Sequence, residues 1–420
     1  GSEMCIRDSL MNNYPHILLF GHSFNNYTGM GITLTNLFAD WPKENIVVWA
    51  EGIEPELCDA IRPCAKYIGS TKSLSDEARA KRKLTIRDKC IDFLRKQYHK
   101  TGVQELRANT SITTDQLAEA ISFNPDIVFC ALGSDFAMKR CENLMDKLPK
   151  AKLVLYIVDD WVNTKINTRY FASLWRHKYD KDFRHIMDRA SGLLSICQYM
   201  THEYRKMYGK TYYPFHNPVD ITKWQALKVQ PKYAEDKISI LYVGKINADT
   251  TSCLLDMSKV VEELNAKGGL FVYDIYSPDY NSKAYLFEGK KDVHVFPPIS
   301  HEDIPSVMKS YSSLFLPLGF SKQSRTYVRL SMPTKLSEYL ASGKPIILYC
   351  PEEIALAKYL SDKDCAIMCT NDEANQLREA VAKLQDRNLY NHLVENSLEL
   401  ATHHDVHVVR ERFRDIICRF

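Results

Sequence analysis

The sequence predicts an α/β fold of two Rossmann-like units, and three observations carry that expectation. Short apolar runs recur along the chain. They are continuous rather than alternating. Helical segments lie between them. A continuous run suits a strand buried on both faces of a parallel sheet, with helices covering each side. Strand and helix in alternation imply right-handed crossovers. A chain of 420 residues has room for such units, at roughly 100–200 residues per domain.

The first set of strand-like runs is HILLF (16–20), NIVVWA (45–50), DIVFCAL (126–132), KLVLYIV (152–158) and GLLSIC (192–197). GITLTNLFADW follows the first run and TTDQLAEAISF (113–123) precedes the third, both with helical character. A second set begins after about residue 217: ISILYVG (238–244), LFVYDIYS (270–277), VHVFPP (293–298), SLFLPL (313–318), PIILYC (345–350) and CAIMC (365–369). Between the sets, YYPFHNPVDITKW (212–224) has two prolines and no helical period, as a hinge would. The expected division is therefore a unit over 11–215 and a second over 216–400. The opening GSEMCIRDSL (1–10) reads as a tag or non-native leader before a native start at Met11.

Composition fits a globular protein, with 45% hydrophobic and 25% charged residues. A formal net charge of +3 does not by itself imply a nucleic-acid or membrane partner. The twelve cysteines form no C-x-x-C and no zinc spacing, so they read as reduced thiols of a cytoplasmic protein. No apolar run reaches the roughly 18 residues of a membrane span.

Ligands of such sheets bind beyond the carboxyl ends of the strands. With two units face to face, the site is expected in the cleft between them, on loops just after strands. RLSMPTKLSEYLASGKPIILYC (329–350) is one such loop. Ser331 reads as a helix N-cap, Pro333 as a first-turn residue and Gly343 as the C′ glycine. A helix start there favours a phosphate. Lys335 adds a positive charge, and Glu338 can accept hydrogen bonds from a ribose diol. The same residues also describe a capped surface helix with an i,i+3 salt pair.

These residues resemble the nucleotide-binding segment of GT-B glycosyltransferases of the retaining, E-x7-E group. ISILYVGKI resembles that family's strand, glycine and basic residue beneath the donor phosphates. GHSFNNYTGMGITLTNLF resembles its first glycine-bearing loop, and YGKTYYPFHNPVDITKW its interdomain passage. The four motifs stand in the family's order, from about residue 16 to 416. The resemblance implies a GT-B pair of domains facing across a cleft, the first for the acceptor and the second for a nucleotide sugar. It also implies a closing helix over 401–420 that crosses back. Residue by residue, it places Gly29 and Gly31 near the donor and Gly244, Lys245, Ser331, Thr334 and Lys335 around its diphosphate. Glu338 falls on the ribose. The family's first glutamate falls at Leu330, and no acidic residue occurs between 304 and 337. Arg325 and Arg329 are further phosphate candidates, though surface arginines are commoner.

YIVDDWVN (156–163) ends a strand with two carboxylates, and the resemblance places catalytic residues there: Asp159 and Asp160. Adjacent side chains on extended backbone point opposite ways, so one is expected to face the reaction and the other to fix the loop. An Asp N-cap beside a core Trp161 is the plainer explanation. His22 and Tyr27 are polar candidates for acceptor contact. His403, His404 and His407 read as surface or interdomain contacts.

The resemblance implies transfer of a sugar, with retention, from a nucleoside-diphosphate sugar (UDP or GDP first) to a surface polysaccharide or lipid-linked glycan. It implies no separate cofactor and no metal. A sugar-nucleotide 2-epimerase and a non-catalytic GT-B partner subunit are the alternatives, and nucleic acid or protein the alternative acceptors. Residues 78–100 carry nine Lys or Arg against Asp88 and Asp92, with Leu84, Ile91, Leu94 and Tyr98 at helical spacing. Such a helix suits an anionic membrane surface, nucleic-acid phosphates, or a solvated helix packing its stripe on the sheet. A cytoplasmic enzyme, peripheral at the inner membrane face, is the resulting expectation.

Overall fold

The computed structural model describes residues 14–69, 86–107, 110–112, 114–166 and 169–420. The leader expected over 1–10 and the beginning of the basic segment, 78–85, lie outside the described residues.

The chain forms two compact units. One runs through Phe215 and takes back Arg410–Phe420; the other is His216–Val409. Each is built on one parallel sheet. In the first unit the strands are β1 (Ile17–Phe20), β2 (Ile46–Trp49), β3 (Lys66–Ile68), β4 (Ile127–Leu132), β5 (Lys152–Ile157), β6 (Gly192–Ser195) and β7 (Tyr213–Pro214). Their spatial order is β3-β2-β1-β4-β5-β6-β7. In the second they are β8 (Ile238–Val243), β9 (Phe271–Tyr276), β10 (Val293–Phe296), β11 (Ser313–Pro317), β12 (Ile346–Tyr349) and β13 (Ala366–Cys369), ordered β10-β9-β8-β11-β12-β13.

The central strands are apolar at successive positions because both faces are covered. Every residue of β1, β2 and β4 is buried, and Ile17 pairs with Ile46 on one side and Ile127 on the other. The edge strands β3 and β7 were not expected from the sequence. They are two or three residues long and half covered, so they carry no apolar run to detect. In each sheet the strand order reverses beside the first strand of the unit: between β1 and β4, and between β8 and β11. Such reversals leave a crevice at the carboxyl ends of the flanking strands.

The first core centres on Phe38, whose ring lies 4.9 Å from Phe413, 5.2 Å from Phe129 and 5.6 Å from Trp41. Phe413 comes from the last helix, Val406–Ile417, so the C-terminal residues complete the N-terminal core.

The second unit buries one carboxylate completely. Asp274 on β9 accepts hydrogen bonds from Lys232 (2.6 Å), Tyr233 (2.8 Å) and Tyr311 (2.5 Å), and His294 lies 2.9 Å away. The Lys232 ammonium also sits 4.1 Å from the Phe296 ring centroid. Burial makes each partner necessary, because an isolated charge there would be costly.

The described part of the basic segment is the helix Ile86–Thr101. Its apolar residues do not all pack inward: Ile91 and Tyr98 are exposed and Leu94 is 65% exposed. Packing of the whole stripe on the sheet is therefore corrected.

Asp274→Ala is expected to cost about 3–5 kcal/mol, read from denaturant unfolding. Adding Lys232→Met should cost less than the sum of the two single changes, because the lysine has already lost its partner. Additive costs would mean the network is not a unit.

Candidate functional site

The site in the second unit starts where β8 ends. Gly244 continues the ladder, donating its N–H to Tyr276 at 3.0 Å, and adopts φ +157°. A Cβ there would lie 2.8 Å from the Tyr242 hydroxyl and 3.2 Å from the Lys335 ammonium. Only glycine lets the backbone pass this close to both groups.

Lys335 reaches back under that turn. Its ammonium donates to the Val243 carbonyl at 3.1 Å and lies 4.4 Å from the Tyr242 ring centroid. The surrounding protein strips water from the ammonium and pushes its pKa down to about 8; the nearby Glu338 carboxylate offsets this only in part. Burial likewise pushes Glu338 up to about 7, with Lys335 pulling the other way. Both groups therefore change charge close to neutrality, unlike an exposed salt pair.

The position of Lys335 is set from a distance. The helix here is Leu336–Ala341, with Lys335 itself at the N-cap. The expected cap at Ser331 is thus corrected: its hydroxyl donates to the Tyr327 carbonyl at 3.3 Å, five residues before the helix. The physical reason lies in the turn before the helix, where Leu336 N–H bonds the Pro333 carbonyl at 2.9 Å. His216 Nε2 lies 3.1 Å from that same carbonyl, and the Asn217 amide donates to the Thr334 carbonyl at 3.2 Å. Burial pushes His216 down to about 4, so its ring is neutral and Nε2–H can donate. His216 and Asn217 pin the turn that carries Lys335. The sequence reading missed them because HNP looked like linker; the pairing spans 117 residues.

The other expected residues sit as follows. Lys245 is exposed, and its carbonyl accepts from the Tyr242 and Thr250 hydroxyls at 2.8 and 2.9 Å. The next residues form a turn around Asn247, whose side-chain oxygen accepts from Asp249 and Thr250 N–H at 2.9 and 3.0 Å. Arg325 is engaged with Glu353 at 2.7 Å. Leu330, where the family's first glutamate would stand, is 3% exposed.

Gly29, Gly31, Asp159 and Asp160 belong to the first unit. Gly29 opens the helix Gly29–Leu37. Gly31 donates its N–H to the capping Thr28 hydroxyl at 3.0 Å. A Cβ at Gly31 would fall 2.1 Å from the Asn25 amide nitrogen, so packing alone requires glycine there. Asp160 is fully buried and accepts from Asn163 at 2.8 Å and Tyr204 at 3.0 Å. Asp159, one residue earlier, is half-buried. His404 is buried and bonded to Tyr359 at 2.8 Å.

No family model matches the sequence, and no curated protein sequence matches it significantly. Solved structures do match the fold. Anabaena HepE in complex with UDP-glucose superposes with a TM-score of 0.60 at 11% identity, covering 96% of this chain and 99% of that one. A trehalose 6-phosphate synthase from Burkholderia multivorans gives 0.61 at 10% identity, covering 96% and 98%. WaaG, a glycosyltransferase of lipopolysaccharide biosynthesis, gives 0.56 at 13% identity, covering 96% and 99%. The chain has the GT-B fold of these glycosyltransferases.

An anion seated against Lys335 will raise the lysine pKa. Binding of pyrophosphate should then take up a proton at pH 9, where the free lysine is mostly neutral, and affinity should fall as pH rises above about 8. Titration calorimetry in buffers of different ionisation enthalpy checks this. A pH-independent affinity between 7 and 10 would remove Lys335 from anion binding. A second expectation concerns Gly31→Ala, which should destabilise by about 1–3 kcal/mol on a thermal melt.

Proposed function

We propose that this chain is a glycosyltransferase that takes its sugar from a nucleoside-diphosphate sugar, with UDP the first candidate. The observation that carries the reading is the meeting of Gly244 and Lys335 beyond β8, beside the strand-order reversal of the second sheet, with the Glu338 carboxylate close enough to act on the lysine. Neighbours of the same fold solved with UDP and UDP-glucose support the choice of base.

In this reading Lys335 and the Gly244–Lys245 turn hold the diphosphate, and ionised Glu338 accepts hydrogen bonds from the ribose. Ser331 and Thr334 flank the diphosphate, and Gly29 and Gly31 shape the loop toward the donor. The bond between the anomeric carbon and the phosphate oxygen breaks, and its electrons go to the diphosphate. Lys335 stabilises the charge that develops there. The acceptor oxygen bonds to the anomeric carbon, and its proton passes to the departing phosphate, which retains configuration. Asp159 steadies the growing positive charge at carbon. Asp160 is a positioning residue, holding the loop through Tyr204 and Asn163. No metal is required, and a surface polysaccharide or lipid-linked glycan is the acceptor class.

The helix Ile86–Thr101 supports a peripheral contact with anionic membrane. The segment joined to the end of this helix, where Tyr170 N–H is bonded to the Lys100 carbonyl at 2.9 Å, carries Phe171, 75% exposed, and Leu174, also exposed. Among the described residues no helix is long and apolar enough to cross a membrane. Basic and apolar groups together suit an interfacial surface.

One observation favours a second reading. Leu330 leaves a buried apolar side chain where an acid would help hold the donor sugar, as in a nucleotide-binding subunit without catalysis.

Chromatography of nucleotide release separates the two. A transferase frees UDP from UDP-glucose or UDP-galactose much faster with a glycan acceptor present, and a chelator leaves the rate unchanged. Asp159→Asn should bind UDP normally yet transfer about 100-fold more slowly. Full activity in that variant removes Asp159 from the mechanism, and absence of release with every donor and acceptor favours the non-catalytic subunit. Vesicles rich in phosphatidylglycerol should sediment the protein, and vesicles of phosphatidylcholine should not; equal behaviour contradicts the membrane contact.

A further inference from the structure

A cavity of about 600 Å³ lies in the second unit at the amino ends of β8 and β11, where Ile238, Ser239 and Ser312 line it. Small-molecule sites run from about 300 to 1,000 Å³, so the volume suits a compact ligand. Gly244 and Lys335 stand at the other end of β8. The six residues of that strand separate the two places, about 20 Å at the rise of an extended chain.

Three cations line this cavity: Lys237, Lys344 and Arg387. None has an ion pair or a side-chain hydrogen bond among the described residues. Asp386, directly before Arg387, turns its carboxylate to the Asn388 and Leu389 N–H groups at 2.9 and 3.2 Å instead. Lys344 is half-buried, and burial together with the neighbouring Lys309 charge pushes its pKa below the usual lysine value. Lys309 donates to the Trp224 and Leu227 carbonyls at 2.8 and 2.7 Å. Among the described residues neither lysine has a carboxylate partner.

Two acids also line the cavity, Glu235 and Asp236. Both are exposed, on the turn that Lys237 N–H closes on the Ala234 carbonyl at 2.9 Å. Water and salt screen exposed carboxylates, whereas Lys344 has given up part of its hydration. The group in most need of a partner is therefore a cation. The tyrosine hydroxyls of the lining are already engaged. Tyr233 and Tyr311 donate to Asp274 at 2.8 and 2.5 Å, and Tyr390 donates to the Ser312 carbonyl at 3.1 Å. The charged donors left to a ligand are Lys237, Lys344 and Arg387. A phosphate monoester answers more than one of them, because it is close to doubly charged at neutral pH and offers three acceptor oxygens.

We propose that this cavity binds a small phosphate monoester, with Lys344 and Arg387 holding the phosphate, Lys237 adding a third positive charge, and Tyr233 and Tyr390 walling the organic part. The site is separate from the one at Lys335, and its binding does not rest on the transferase reading.

The test uses the full chain and four probes. Phenyl phosphate and glucose 6-phosphate are the monoesters; benzoate and phenol are the singly charged and uncharged comparators. Ligand-observed NMR follows each titration at pH 7. At least one monoester should bind, at least tenfold more tightly than benzoate, and phenol should not bind. Lys344→Ala and Arg387→Ala remove side chains that have no partner to lose, so each should keep the wild-type melting temperature and weaken binding at least tenfold. Lys335→Ala should leave the affinity within twofold, since that lysine lies at the far end of β8. The proposal is overturned if neither monoester binds, if benzoate binds as tightly, or if both cavity variants bind like wild type. It is equally overturned if Lys335→Ala, still melting cooperatively, abolishes binding, because the phosphate then sits at the donor site. A UDP response without monoester binding sinks this cavity and spares the donor site; monoester binding without a UDP response does the reverse.

Discussion

One partly buried ammonium group ties together the end of β8 and the turn before the helix Leu336–Ala341. Lys335 is held under the end of β8, bonded to the Val243 carbonyl and set against the Tyr242 ring. A lysine loses hydration in such a place, and its lowered pKa records the loss. The neighbouring features follow from keeping it there. A Cβ at Gly244 would meet the Tyr242 hydroxyl first and the ammonium next. His216 and Asn217 hold the Pro333 and Thr334 carbonyls, and so the turn from which Lys335 projects. Glu338 shares the environment and is displaced in the opposite direction. A strained cation of this kind gains from a phosphate partner, which is the physical basis for the donor reading.

The first unit uses a different device at the same end of its sheet. Asp160 accepts from Tyr204 and Asn163, and Arg140 is ion-paired with Glu51. The carboxyl ends of its strands carry aromatic faces. The contrast is chemical. The second unit places the Lys335 ammonium beneath the end of β8; the first places the Phe20 and Trp49 rings at the ends of β1 and β2.

Much of this was legible in the sequence, and the failures have a common cause. Strands such as ILLF and ISILYV stand out because both faces are buried and every position is apolar. β3 and β7 are edge strands and left no such mark. Gly244, Lys335 and Glu338 could be singled out as candidates because a strand end, a glycine and a charged turn are local patterns. The cap at Ser331 was misplaced because a turn closed by Leu336 N–H on the Pro333 carbonyl comes before the helix, and that turn is held by His216 and Asn217, more than a hundred residues away. Packing against Asn25 is a second demand for glycine at Gly31, and it leaves no mark in the sequence. Glu51 and Arg140 escaped notice because nothing in sequence joins residues 89 positions apart.

The central claim is that Lys335 binds the diphosphate of a nucleotide. The most direct measurement is thermal unfolding of the wild type and Lys335→Ala against UDP, GDP, ADP, TDP and CMP, with and without magnesium. A ligand that binds only the folded state raises the melting temperature, by about 2.7 kcal/mol of stability at a hundred times its Kd. The account predicts a clear, magnesium-independent shift with one nucleoside diphosphate, UDP first, and its loss in a Lys335→Ala protein that still folds. No shift with any nucleotide, or an equal shift in the variant, would contradict it.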